Sequence, residues 1–254
     1  MNASRIEKVA ALLVEARRTM QPLPPLPEAL RPGSVAEAHA IQDATTALLG
    51  KTVGGYKASL PGGEVNRGVM YADTILPSPA AFPARQVPAC GVEAEIAFLF
   101  TKDFPPRDHD YLRDSVVAGT QALVGIEVVD SRYGALVKEK GRLPPLDMLA
   151  DSVSNGGFVY SRPVSGWAGK VAPDLEVILT VNDKIVVRQK GGHPTGHPFD
   201  AAVALVNALR AGPGIKAGQY VTCGSWTGLR FLEPGDVCVA RIVGIGEAKV
   251  TFIA

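Results

Sequence analysis

The stretch Val92-Glu93-Ala94-Glu95-Ile96-Ala97-Phe98-Leu99-Phe100 constrains this chain more than any other. Val92, Ala94 and Ile96 alternate with two carboxylates before an apolar run, the pattern of a strand buried on one face. Side chains along a strand have period two, so Glu93 and Glu95 project from the same face, close enough to share one cation. Left alone, two such carboxylates repel, and one is driven toward its protonated form. A hard divalent ion, Mg²⁺ or Mn²⁺, removes that cost by accepting oxygen from both. Taken by itself an E-x-E pair is more often ordinary solvated charge. A third acid shifts the balance. Val124 to Asp130 is a second strand-like run in which Glu127 stands among apolar residues. Charged groups are seldom buried unless paired or bound to metal. Glu127 therefore either completes a three-carboxylate oxygen site or pairs with an Arg or Lys.

At 254 residues the chain accommodates one large domain, or one domain with a small appendage. Its 26 Lys and Arg balance 25 Asp and Glu, and no basic run marks a nucleic-acid surface. No apolar run is long enough to span a bilayer, and charges from Arg5 to Arg18 break up any signal-peptide core. Cys90, Cys223 and Cys238, odd in number and without C-x-x-C spacing, read as free thiols in a reducing compartment. The expectation is a cytoplasmic protein whose partners are neither nucleic acid nor membrane.

Along the chain, Ser4 to Glu7 and Ser34 to Glu37 each form a capping-box pattern opening a helix, and Gly50 is placed to close the second. Between them QPLPPLP (21–27) is an extended connector. From Val53 the texture changes to glycine, proline and short apolar runs. Asp108 to Leu123 has a helical pattern. Leu175 to Gln189 is a hairpin turning at Asn182-Asp183, and Asp200 is placed to cap a helix over 201–210. GGHPTGH (191–197) is a loop without helical support for metal binding. Strands are expected over 219–223, 236–245 and 247–253. The pattern predicts an α+β fold: a helical N-terminal region (1–52) and a β-rich catalytic body (53–254). Two polar features carry further chemistry. Lys57 follows two glycines at a strand end, and Asp151 to Gly157 (DSVSNGG) is a turn able to expose N–H groups to an anion.

GGYK (54–57), VEAEIAF (92–98), GIEVVDSR (125–132), ADSVSNGGFV (150–159), GHP (196–198) and YVTCGSWTG (220–228) occur in one order. In that order the chain resembles the 2-keto-4-pentenoate hydratase family, which includes 2-oxohept-4-ene-1,7-dioate hydratases and oxalocrotonate decarboxylases within the fumarylacetoacetate hydrolase superfamily. The resemblance covers Gly54 to the C-terminus. It implies a mixed β-roll core of the fumarylacetoacetate hydrolase C-terminal-domain type, with Mg²⁺ or Mn²⁺ at Glu93, Glu95 and Glu127. It implies Lys57 and Asp73 as proton-moving residues, although the stretch before Asp73 departs from the family's P-D-F-G pattern and is two residues short. It suggests Ser154, Gly156, Gly157 and Arg132 around the substrate, with Ser152 standing where the family has Asn. The implied activity is hydration of a short 2-hydroxy-2,4-dienoate to a 4-hydroxy-2-oxo acid, as in aromatic meta-cleavage catabolism. Decarboxylation of a 2-oxo-3-enedioate on the same residues, with Arg132 or Arg162 near a second carboxylate, is the runner-up; a non-catalytic partner subunit is the third reading. A homo-oligomer, alone or with a companion hydratase or decarboxylase, is implied as well.

Overall fold

The computed structural model describes residues 2–194 and 196–254. Helix α1 (Ala3–Thr19) begins two residues earlier than its capping box predicts. Asn2 accepts a hydrogen bond from Arg5 N at 3.0 Å, so the first available cap is used and Ser4 lies inside the helix. Helix α2 (Val35–Leu49) starts as expected. Ser34 accepts from Glu37 N at 3.2 Å, the Glu37 carboxylate accepts from Gly33 N at 2.7 Å, and Gly50 ends the helix at φ 63°. Val9, Leu13, Ala38 and Ile41 are buried between the two helices together with Tyr133, Leu149 and Ala150. The N-terminal helices thus share their core with a later part of the chain.

The strands follow in order: β1 (Val53–Ser59), β2 (Asn66–Tyr71), β3 (Ile75–Pro77), β4 (Ala80–Pro83) and β5 (Gly91–Phe100). After α3 (Arg113–Val117) come β6 (Thr120–Val129), α4 (Pro145–Ala150), β7 (Asn155–Tyr160), β8 (Glu176–Val181) and β9 (Lys184–Lys190). Helix α5 (Phe199–Leu209) precedes β10 (Tyr220–Ser225), β11 (Arg230–Phe231), β12 (Val237–Ile242) and β13 (Gly246–Ile253). One sheet runs β2-β1-β10-β5-β6-β7-β3 with β11 beside β5; the other runs β4-β13-β12-β8-β9. This is the mixed α+β architecture that the pattern predicts, built of curled sheets as the family resemblance implies.

Two expected helices differ. The helical pattern over 108–123 survives only as α3, because β6 pairs with β5 along ten residues and takes the segment from Thr120 onward. Gly119 marks the change, lying where a Cβ would strike Phe104 and Lys102. Helix α5 starts at Phe199 without a side-chain cap, and Asp200 instead sits in its first turn and pairs with Arg113. The hairpin forms as expected, with Asn182 and Asp183 at φ 48° and 63°, the left-handed pair that a two-residue turn requires.

Strand periodicity divides the first sheet. Val92, Ala94, Ile96 and Phe98 of β5, with Val124, Ile126 and Val128 of β6, enter the main core against the second sheet and α5. Burying each such side chain contributes about 1.5–3 kcal/mol, which pins the register. The other face then receives Glu93, Glu95 and Glu127. Gly55 shows how closely this sheet is built: a Cβ there would meet the Tyr220 carbonyl oxygen and, at 2.9 Å, its nitrogen. Gly55→Ala is expected to destabilise the fold by about 1–3 kcal/mol, lowering Tm by roughly 2–4 °C per kcal/mol in a scanning-calorimetry comparison with wild type.

Candidate active site

Glu93 lies directly across from Glu127 in the β5–β6 ladder, and Glu95 across from Gly125. Carboxylate oxygens of the three glutamates lie within 4.8 Å of one another. Glu127 is fully buried, Glu95 nearly so, and Glu93 half-buried. Glu95 is held in place by Gly224, whose N–H donates to Oε2 at 2.8 Å. Lys57 reaches the same spot from β1. Its Nζ is 2.5 Å from Glu127 Oε1 and donates to the Val153 carbonyl at 2.8 Å. Strands β10 and β5 stand between β1 and β6, a separation of about 14 Å in a flat sheet at the usual strand spacing. A lysine cannot bridge that distance, so the contact exists because the sheet curls.

The glutamate oxygens carry the electrostatic signature of an unfinished site. Glu127 is buried with the Lys57 ammonium as its one polar contact among the described residues, and no neutral donor reaches either oxygen. Burial pushes the Glu127 carboxyl well above its ordinary value, and Lys57 only partly offsets this. Burial and then Glu93 push Glu95 up to about 7. Burial alone would lower Lys57, but Glu127 and Glu93 outweigh it and raise its affinity for the proton. Three carboxylates converging within 4.8 Å, with a single ammonium against them, form an all-oxygen ligand set that fits a hard divalent cation.

Val153 lies in a left-handed run. Ser152, Val153 and Ser154 have φ of 52°, 53° and 57°, and a β-branched residue there is strained. Its surroundings over-determine it. Asp151 is gripped by Ser131 Oγ, Arg132 N and Arg132 Nε at 3.0, 2.9 and 2.5 Å, and Asp130 N donates to the Ser154 carbonyl at 2.8 Å. Gly68 lies against the Ser152 carbonyl, at a distance no Cβ would tolerate.

The structure therefore gathers Glu93, Glu95, Glu127 and Lys57; Ser154, next in the chain to the Val153 carbonyl that Lys57 donates to, carries a buried hydroxyl without a partner. The other expected residues stand elsewhere. Asp73 is exposed at the end of β2 and pairs with Lys51 at 2.7 Å. Arg132 is committed to Asp151. Gly156 and Gly157 lack the left-handed backbone of an anion nest; Asp130 and Phe82 fill the space their side chains would need. One residue was missed. In the β1–β2 ladder Gly68 lies opposite Lys57 and Asn66 opposite Ser59, so Asn66 shares the Lys57 face, and its Oδ1 is buried without a donor. The antiparallel pairing of 53–59 with 66–71 is the signal that would have shown it. His193 Nε2 lies 3.2 Å from the carbonyl of Gly224, the residue whose N–H holds Glu95, while Thr195 of the same loop lies outside the described residues.

The raised Glu95 carboxyl has a consequence for stability. With a folded value of about 7 against an ordinary 4.5, the stability it contributes is complete below about 4.5 and is lost as pH rises through about 7. In EDTA, thermal stability is expected to fall across that window, and Glu95→Gln is expected to flatten the dependence. A profile identical in the variant would show that Glu95 does not govern it.

Residues 79–253 match the family described as "Fumarylacetoacetate (FAA) hydrolase C-terminal". The chain is 28% identical to the 2-keto-4-pentenoate hydratase of Paraburkholderia phymatum, covering 98% of each protein. It is 27% identical to 2-keto-4-pentenoate hydratase 2 of Dechloromonas aromatica, covering 97% of each. Among solved structures it resembles the 4-oxalocrotonate decarboxylase of Pseudomonas putida G7 complexed with magnesium and adipate, with TM-score 0.84, 22% identity, and 100% and 99% of the two chains covered. A strand-borne glutamate cluster inside this fold places the chain in the fumarylacetoacetate hydrolase family.

Proposed function

We propose that this chain is a divalent-metal-dependent hydratase that converts a short 2-hydroxy-2,4-dienoate to a 4-hydroxy-2-oxo acid. The observation that carries the reading is Glu127: a fully buried carboxylate that faces two more carboxylates, with the Lys57 ammonium as the single cation among them. Glu93, Glu95 and Glu127 would hold one Mg²⁺ or Mn²⁺, which when bound supplies Lewis acidity toward the negative charge that develops on the substrate's 2-oxo oxygen. The relatives named as hydratases support the reaction, and they extend over nearly the whole chain.

Hydration begins with ketonisation: the proton leaves the 2-hydroxyl and a proton is added at C5, leaving a 3,4-enone. Water then adds in conjugate fashion, oxygen to C4 and hydrogen to C3. Lys57 Nζ holds a proton beside the glutamates and is the group placed to deliver and retrieve it. Asn66 cannot act as a base, so on this face its Oδ1 and the Ser154 hydroxyl orient the substrate and the attacking water. Phe158, Met70, Leu123 and Ala97 form a small apolar cluster on the same face and exclude bulk water. Lys57 is the only cation among the described side chains that the strands direct to this face. That favours a substrate with one carboxylate and counts against the 2-oxo-3-enedioate decarboxylase reading, which needs a second cation there. Assembly as a homo-oligomer belongs to the same reading, supported by exposed Ile185 and Val186 on the edge strand β9, and sedimentation velocity reads it directly.

Thermal unfolding with Mg²⁺, with oxalate and with both tests the site, because a ligand binding only the native state raises apparent stability. A synergistic shift is expected in wild type and none in Glu95→Gln. Lys57→Met is expected to keep the shift while lowering kcat for 2-hydroxypenta-2,4-dienoate by about 10²–10⁴-fold. CO₂ release from a six-carbon 2-oxo diacid, without hydration of the five-carbon monoacid, would overturn the hydratase in favour of the decarboxylase.

A further inference from the structure

A second cavity, of about 550 Å³, lies outside the glutamate site, and neither Lys57 nor any of the three glutamates lines it. It sits between the end of α1 and the corner that follows β6. Arg17, Arg18, Lys51, Arg132 and Lys138 face it, against the single carboxyl of Asp130. Three of the cations are already engaged. Lys51 pairs with Asp73, and Arg17 and Arg132 share Asp151 at 3.6 and 2.5 Å, so one buried carboxylate serves two guanidiniums. Arg17 Nε is buried without a hydrogen-bond partner. Burial, and after it the neighbouring Arg132, pull Arg17 down to about 10. Arg18 and Lys138 have no acidic partner among the described residues.

The rest of the wall is hydrocarbon, from Met20, Pro22, Leu49 and Pro88. Charge surplus carried largely by guanidiniums selects an anion, planar and hydrogen-bonding as a carboxylate is. An apolar wall selects an occupant that brings its own hydrocarbon. We propose that this cavity binds a small organic carboxylate with an aliphatic body, at a site separate from the glutamate cluster. The two sites lie on either side of the strained 152–154 turn. Arg132 Nη2 donates to the Asp151 carbonyl at its start, and Lys57 donates to Val153 within it.

Calorimetric titration of the full chain in EDTA separates the sites, since without a cation the three glutamates repel an anion. Hexanoate is the probe, with inorganic phosphate as the arm that carries charge without hydrocarbon. Saturable 1:1 binding of hexanoate is expected. Arg17→Gln is expected to bind about tenfold more weakly, one charge-assisted contact converted at 1.4 kcal/mol. Phosphate is expected to bind more weakly than hexanoate, and Ala135→Trp, at an exposed wall residue whose replacement fills the cavity, is expected to lose saturable binding. Glu95→Gln is expected to bind as wild type does. Absence of saturable binding, full affinity in Ala135→Trp, phosphate binding as tight as hexanoate, or loss of affinity in Glu95→Gln would each overturn the proposal.

Discussion

The contact between Lys57 and Glu127 is the interaction on which the rest of this structure depends. It joins the second strand of the sheet to the fifth in spatial order, across two intervening strands, and forms only in a curled sheet. Both partners are removed from water, so their attraction is set against a desolvation cost of several kcal/mol per ion. The pair does not justify itself as a stabilising element, because one ammonium stands against Glu127 and the two carboxylates that neighbour it. Its justification is chemical: the fold tolerates an electrostatic deficit that a bound cation removes.

Rigidity around that deficit comes from the backbone. The 152–154 run keeps three non-glycine residues left-handed, at a cost of order 1–3 kcal/mol each. Asp151 and Asp130 clamp its ends, and Gly68 allows β2 to approach it. The result is a carbonyl at Val153 aimed at the ammonium of Lys57, which fixes the direction of its proton. The same clamp uses Arg132, which explains why an arginine that motif order suggests for substrate binding is instead structural at that point and turns its remaining surface to the basic cavity.

Much of the fold was legible because strand periodicity is a local property. Val92 to Phe100 and the hairpin at Asn182-Asp183 each carry their own pattern, and both formed where expected. The helix over 108–123 did not, since its pattern lost to a ten-residue pairing with β5 that lies distant in sequence. Capping failed at Ser4 and Asp200 for a smaller reason: several residues near a helix start can serve, and packing of the helix selects among them. Asp73 misled because motif order locates a residue along the chain but says nothing about the face it occupies.

The sequence by itself determined that Glu93 and Glu95 share a face, because a strand's period of two leaves no other outcome, and that Glu127 is a buried acid in need of a partner. It placed Lys57 on a short strand after two glycines, but its position alone did not single it out, and the strand runs on to Ser59. Only the tertiary structure decided that Glu93 stands opposite Glu127, that Lys57 closes on them, and that Asn66 rather than Asp73 faces the same space. Those facts depend on register and sheet curl, which arise from core packing among strands far apart in the chain, and no local pattern encodes them.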